Sequence, residues 1–276
     1  DEKAGELLGL SRVRSITQDD SHTFCTPDQI EQIYEELIEV TKVFYEKIGM
    51  KIRARLSFRD KNDSKKYLGE PALWDRAEDI ILSIAKKSGL DYFVAEGEAA
   101  FYGPKIDFMA TDALGREWQL ATPQLDFVQP KRFELEYIDN EGKAQTPVMI
   151  HFALLGSLER FLSVYIEHTA GVFPLWLSPT QISVIPISEK HLDYAKNVVL
   201  GLQKAGLRIE LRDENETLGK KIREAEMQKV PYLVILGDKE IESNAVSVRQ
   251  RSKGDLGQMP LEKFTEKLSL EVESKN

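Results

Sequence analysis

The chain has 276 residues, 42% hydrophobic and 30% charged, with Lys plus Arg at 37 and Asp plus Glu at 46 for a net charge of −9. That length corresponds to about two domains and the composition excludes a disordered chain, while no apolar run approaches the ~20 residues of a membrane span. The single cysteine, Cys25, excludes an internal disulfide framework and a cysteine-only zinc site, and the acidic balance disfavours general nucleic-acid binding while leaving room for a local basic face.

The opening Asp1-Glu2-Lys3 has no secretory-signal character, so a cytoplasmic protein is expected. Residues 7–24 alternate weakly and read as two short strands or one hairpin arm. Thr26 as N-cap, Pro27 at the first helical position and Gln29 at capping-box spacing open a helix. Its apolar positions Ile30, Ile33, Tyr34, Leu37, Ile38, Thr41, Phe44 and Tyr45 follow at helical spacing until Gly49 stops it. Residues 51–59 alternate: Ile52, Ala54, Leu56 and Phe58 face one way, and Lys51, Arg53, Arg55, Ser57 and Arg59 the other, as in a half-buried strand. A polar loop over 60–70 leads to Pro71, which opens a second helix carrying Trp74, Ala77, Ile80, Ile81 and Ile84 and stopped by Gly89.

Short β-prone runs then occupy 92–94, 105–109, 117–120, 124–128, 132–137 and 148–151, separated by turn-length gaps that favour an antiparallel sheet. A helix is expected over 154–168, with Leu154, Leu155, Leu158, Phe161, Leu162 and Tyr165 inward. Residues 171–179 contain two prolines and read as a linker. Beyond it, strands at 182–187, 207–211, 232–236 and 245–249 alternate with helices at 190–204, 218–228 and 261–268, which argues for a small separate α/β domain.

Walker and Gly-x-Gly-x-x-Gly loops, His-Glu-x-x-His and Cys-x-x-Cys are all missing. Of the four histidines, His168 and His191 fall in helical segments and are expected at the surface, whereas His22 and His151 lie in or at the end of strands. Gln18, the acidic pair Asp19-Asp20 and His22 at one strand end read either as a ligand or metal site or as a solvated hairpin. Arg12 and Arg14 on one strand face suit a phosphate or carboxylate partner, or equally salt bridges to Glu2 and Glu6. Arg160 sits early in its helix, where anions are favoured. Gln119, Thr122 and Gln124 on otherwise apolar strands need hydrogen-bond partners, structural or from a substrate. Lys220, Lys221, Arg223 and Lys229 along one helix, with Arg249, Arg251 and Lys253, form either an RNA face or a balanced solvated surface.

Together the longer blocks resemble the threonyl-tRNA synthetase family. Gly9-Leu10-Ser11-Arg12-Val13-Arg14-Ser15-Ile16-Thr17-Gln18-Asp19-Asp20-Ser21-His22 is similar to its motif 2 loop and following strand. Phe101-Tyr102-Gly103-Pro104-Lys105-Ile106 and Trp118-Gln119 through Phe127 are similar to mid-domain blocks, and Val148-Met149-Ile150-His151 with Leu155 to Phe161 to motif 3. Val230-Pro231-Tyr232 and Gly237-Asp238-Lys239-Glu240 resemble the anticodon-binding domain.

The resemblance implies an α+β class II catalytic core on an antiparallel sheet over 1–173, then a small α/β mixed-sheet anticodon-binding domain over 180–276. It implies activation of threonine by ATP with Mg to threonyl-adenylate and transfer to tRNA(Thr), in a cytoplasmic homodimer with no membrane attachment. Carried over by position, Arg12 and Arg160 would hold ATP phosphates and, with Gln18, form the catalytic set, while Glu2 would contact adenine. His22 and His151 would be two of three protein ligands to zinc, and Gln18, Asp20, Tyr102, Lys105, Gln119, Thr122, Gln124 and Ser157 would line the amino-acid pocket. Asn215, Glu240 and Arg249 would read anticodon bases. The sequence departs from the family in specific places. The third zinc ligand, a cysteine, falls upstream of residue 1 and Cys25 does not match it; motif 1 and the motif 2 arginine also fall upstream; Thr217 and Lys229 stand where the family usually has a basic residue and an arginine. A piece of a longer protein is therefore expected. The rival expectation is a non-catalytic tRNA-binding protein derived from a synthetase.

Overall fold

The structure is a computed structural model and describes residues 3–275. It divides into two compact units, Asp1–His168 and Thr169–Asn276. Among the described residues no helix is long and apolar enough to cross a membrane.

The first unit contains β1 (Ser21–Cys25), α1 (Ile30–Lys47), β2 (Lys51–Phe58), α2 (Pro71–Lys87), β3 (Tyr92–Glu96), β4 (Lys105–Thr111), β5 (Glu117–Gln119), β6 (Thr122–Asp126), α3 (Gln129–Arg132), β7 (Tyr137–Ile138), β8 (Ala144–Gln145), β9 (Val148–Ala153) and α4 (Leu158–Thr169). One sheet runs in the order β1-β9-β6-β4-β2-β3, with β5 also on β4, and β7 and β8 form a separate hairpin. Its pairs are antiparallel except β2 with β3. That exception has a plain cause: α2 lies between the two strands in sequence, and a helical crossover returns the chain in the same direction.

Strand alternation sorts the sheet into two faces. Ala54 and Leu56 of β2, Ile106, Phe108 and Ala110 of β4, Leu125 of β6 and Ile150 of β9 are buried. The buried faces of α1 (Ile30, Tyr34, Ile38, Thr41, Tyr45) and α2 (Trp74, Ala77, Ile81, Ile84) supply the matching apolar surface, and both helices pack on β2. The opposite face carries the polar residues described below.

Several local expectations are corrected. Residues 7–24 form no hairpin arm: two short 3-10 turns precede an irregular stretch, and only Ser21–Cys25 is a strand. Arg12 therefore sits at a turn, closed by Leu8 and Arg12 hydrogen-bonding each other's backbones, and not on a strand face shared with Arg14. Helix α1 begins at Ile30, although the Gln29 side chain does accept the Thr26 amide at 3.0 Å. The run at 132–137 is the end of the helical turn α3, then a loop that reaches β7 at Tyr137, and Asp126 Oδ1 caps that turn through the amides of Val128 (2.7 Å) and Gln129 (2.9 Å). Residues 154–157 are a loop, and α4 starts at Leu158.

The second unit contains β10 (Ile182–Pro186), α5 (Leu192–Lys204), β11 (Ile209–Leu211), α6 (Leu218–Met227), β12 (Tyr232–Leu236), α7 (Asp238–Ser243), β13 (Ala245–Gln250), β14 (Gly254–Pro260) and α8 (Leu261–Ser274). The strand order is β11-β10-β12-β13-β14, parallel for the first three and antiparallel after. Ile182, Val184, Val234, Val246 and Val248 pack with residues of α5 and α8, while Ile185, Leu233 and Val230 pack with α6. The sequence reading missed α7 and the Gly-rich β14. The stretch read as a linker is packed onto this unit: Leu175 is buried, and its carbonyl accepts the Gln181 amide at 2.9 Å. His191, expected at the surface, is buried: its Nδ1 accepts the Ser188 amide at 3.1 Å and its Nε2 donates to Asp238 at 3.2 Å.

Gly103 shows how tightly the first unit is drawn together. A Cβ there would lie 1.7 Å from the Leu125 carbonyl oxygen, on a rigid central strand. Gly103→Ala is expected to cost about 3 kcal/mol, or ~10 °C of melting temperature for a unit of this size. Thermal melting measures it, and an unchanged midpoint would contradict the packing described.

Candidate active site

The polar face is organised by register. His22 of β1 stands opposite His151 of β9, His151 opposite Gln124 of β6, Gln124 opposite Lys105 of β4, and Lys105 opposite Ser57 of β2. Two residues along, Thr122 of β6 faces Ala153, and Asp107 of β4 faces Arg55 of β2. Residues scattered over more than a hundred positions thus become two adjacent lines on one surface, because cross-strand neighbours stand ~5 Å apart.

At one end of these lines the His22 and His151 rings lie 4.7 Å apart, edge to face, and the Tyr102 ring lies 4.8 Å from His151. The Tyr102 hydroxyl donates to Gln124 Oε1. Burial and the carboxylates of Asp126 and Asp20 push the Tyr102 phenol up to about 12, so it remains a donor at neutral pH. His151 Nε2 lies 3.0 Å from Asp126 Oδ2. With a carboxylate as partner, Nε2 is the donor of this pair. Asp20 stands 3.8 Å from His22 Nε2.

At the other end, buried Asp107 gathers Lys105, Arg55, Ser57, Gln119 and Thr122. Desolvation raises its carboxyl pKa, but Lys105 and the hydrogen bonds from Lys105, Ser57 and Arg55 outweigh it and hold the group below the usual range.

A third cluster joins the segment before β1 to the loop before α4. Asp19 accepts the amides of Leu154, Leu155 and Gly156, each at 2.9 Å. The Thr17 amide donates to Glu159, the Leu158 amide donates to Thr17 at 2.9 Å, and Gln18 bridges to Ser157. Arg160 Nε donates to the Ser11 carbonyl at 3.0 Å, which brings Arg160 beside the Arg12 turn. Arg12 pairs with Glu6 at 3.5 Å, one of the salt bridges that the sequence left open.

The structure therefore brings together His22, His151, Tyr102, Gln124 and Asp20; Lys105, Gln119 and Thr122; and Gln18, Ser157, Arg160 and Arg12. Glu2 lies outside the described residues. Sequence reasoning missed Arg55, Ser57, Asp107 and Asp126 as members, and named Asp19 only as part of the polar strand end. The signal of the four strand residues was a charged or polar residue at every second position of an otherwise apolar strand, as in Asp107 between Ile106 and Phe108.

Among the described residues no three His, Cys, Asp or Glu side chains cluster as a metal site. The two imidazoles nevertheless form a suitable partial donor set, with one ring oriented by a carboxylate as metal-bound histidines usually are. Cys25 cannot join them. Three residues along a strand from His22, it is buried on the opposite face, where burial and nearby Asp28 push its thiol up to about 11.

In the second unit, Arg249 pairs with Leu233 across β12 and β13 and so occupies the α6 side of that sheet, 3.8 Å from Glu226. On the same face, Ser247 donates to Glu240 Oε1 at 2.7 Å, and Glu240 Oε2 accepts the Gly237 amide at 2.8 Å. Asn215 is exposed in the loop before α6. The basic face read along α6 is largely committed elsewhere: Lys221 is buried with Nζ on the Arg212 carbonyl, and Lys220 pairs with Glu216.

Two outcomes follow. Asp19→Ala should cost ~2–3 kcal/mol and free the amides of Leu154, Leu155 and Gly156 for rapid hydrogen exchange, and retained protection would contradict the brace. For Glu240, desolvation raises the pKa, but the Ser247 hydroxyl and Gly237 amide hold it below the usual glutamate value. Its contribution is complete above that usual value, ~4.3, and is lost as pH falls through the lower folded-state value. Melting curves from pH 7 to 3 should show a smaller acid loss in Glu240→Gln than in the wild type.

The model of the family described as "tRNA synthetase class II core domain (G, H, P, S and T)" matches residues 1–169, and that described as "Anticodon binding domain" matches 181–271. The chain is 51% identical over 266 residues to the threonine–tRNA ligase of Thermus thermophilus, covering 96% of this chain and 40% of that protein. It is 47% identical over 272 residues to that of Phocaeicola vulgatus, covering 98% and 42%. It thus spans about 42% of the length of such relatives. Among solved structures it is similar to the RNA binding domain of threonyl-tRNA synthetase from Cryptosporidium parvum, with TM-score 0.92 and 39% identity over 98% of this chain and 67% of that one. A putative threonyl-tRNA synthetase from Aeropyrum pernix gives TM-score 0.81 and 31% identity over 100% and 67%. With its core matched over most of the first unit and threonine–tRNA ligases as its homologues, this chain belongs to the class II tRNA synthetase family.

Proposed function

We propose that the protein carrying this chain ligates threonine to tRNA(Thr), first activating it with ATP and Mg and then transferring it. The observation that supports this best is the line of His22, His151, Gln124 and Lys105 across one sheet face, flanked by Tyr102, in a chain whose homologues are threonine–tRNA ligases.

In this reading Arg12 and Arg160 hold the ATP phosphates, with Glu2 on the adenine. Two guanidinium groups offset charge that builds on the phosphates as pyrophosphate leaves. Gln18 and Ser157, joined by their backbone bridge, orient the carboxyl end of the amino acid toward them. Asp20, Tyr102, Lys105, Gln119, Thr122 and Gln124 surround the remainder. The second unit holds the anticodon through Asn215, Glu240 and Arg249, and the resemblance extends to a cytoplasmic homodimer.

His22 and His151 would hold a zinc ion that, when bound, supplies Lewis-acid ligation for the amino and hydroxyl groups of threonine. Such a requirement discriminates strongly against valine, which lacks the hydroxyl. It discriminates weakly against serine, because a missing methyl is worth only ~1–3 kcal/mol.

The purified full-length protein, supplied with zinc, should exchange pyrophosphate into ATP in a threonine-dependent reaction and charge threonine tRNA. His151→Ala should lower kcat/KM for threonine at least ~100-fold while leaving the ATP KM near wild type. tRNA binding without threonine-dependent exchange would favour the non-catalytic reading, and full activity in His151→Ala would refute the imidazole pair.

A further inference from the structure

Asp107 is fully buried, and its two oxygens are shared unequally. Oδ2 receives Ser57 Oγ at 2.6 Å, Arg55 Nη2 at 2.8 Å and Lys105 Nζ. Oδ1 receives Gln119 Nε2 and Thr122 Oγ1, both at 2.9 Å. A threonine hydroxyl has one hydrogen, and here Asp107 takes it, so toward anything bound the Thr122 oxygen only accepts. The Gln119 amide is fixed at both ends, since its Oε1 accepts Arg55 Nη2 at 2.7 Å. Lys105 spends one of three hydrogens and keeps two.

We propose that Asp107 is a positioning residue that sets the donor and acceptor polarity of the amino-acid half of the site. This rests on the reading of Lys105, Gln119 and Thr122 as substrate-lining. An acceptor at Thr122 suits an ammonium or hydroxyl group of the amino acid and opposes its carboxylate. Asp107 acts through these three side chains and touches no substrate itself.

The substitution Asp107→Asn tests the idea sharply, because its amide has one admissible orientation. The nitrogen cannot face Arg55 and Lys105, both cationic donors, so it faces Gln119 and Thr122. Thr122 must then accept from it and turn its hydrogen outward, and Gln119 must either set its Nε2 against the new amide or flip and set it against Arg55 Nη2, so one of its two hydrogen bonds is lost. Lys105 also loses its counter-charge, and Arg55 keeps only Glu98 at 3.9 Å.

The experiment is threonine-dependent pyrophosphate exchange on the full-length protein with zinc, comparing wild type, Asp107→Asn, Thr122→Val and the double variant. The expected result is a threonine KM raised tenfold or more in Asp107→Asn, with the ATP KM within twofold of wild type. The double variant should be no worse than the worse single one, since Thr122 is one of the three side chains through which Asp107 acts. Equal rises in both KM values, or an unchanged threonine KM, would overturn the proposal. Should Asp107→Asn fail to fold, Thr122→Val carries the same KM comparison alone. A wild type without threonine-dependent exchange would overturn the proposed activity instead. Positioning is then read from the side-chain amide 15N signal of Gln119, which must move in Asp107→Asn, and in Asp107→Glu if the asparagine variant does not fold; a signal that stays in place refutes it.

Discussion

A carboxylate removed from water has to be surrounded by donors, and that demand organises this molecule's polar face. Buried Asp107 and Asp126, and half-buried Asp19, each meet it differently. Asp107 draws on side chains of four strands, Asp126 on a helical turn and His151, and Asp19 on three successive amides of a loop. None of the three is a residue to which the family resemblance assigns a role toward substrate. Asp107 and Asp126 hold in place residues to which it does, and Asp19 holds the loop that leads to Ser157, so the arrangement of the face is a by-product of satisfying these carboxylates.

The sheet makes this economical. Five strands contribute to one line because their registers agree, and the same registers bury Leu56, Ile106, Phe108, Leu125 and Ile150 on the far side. A one-residue slip in any strand would exchange its two faces, exposing an apolar row and burying a charged one. The apolar core and the polar site are thus specified by one pattern read from opposite sides.

Much of this was legible in the sequence. The alternation at 51–59 identified both faces of β2, and long apolar periodicity identified α1 and α2. Elements failed to show where a distant group decides them. The loop at 154–157 looks helical, with Leu154 and Leu155 in sequence with α4, and it is Asp19 that takes its amides away from a helix. Residues 132–137 look like one strand, but Asp126 caps a helical turn that runs into Arg132, and only Tyr137 is in a strand. His191 looks like a surface residue of a helix until Ser188 and Asp238 are seen to satisfy both its nitrogens. The position of His22 beside His151 depends on strand pairing, which no local pattern encodes.

The alternation that presents His22 outward sends Cys25 inward, where its thiol is raised to about 11. At neutral pH that sulfur holds almost no thiolate, the form that attacks disulfides, peroxides and electrophilic reagents. Copies of this chain should accordingly stay uncrosslinked in air without added reductant, and a cysteine introduced on the surface for labelling would react without competition from the native one.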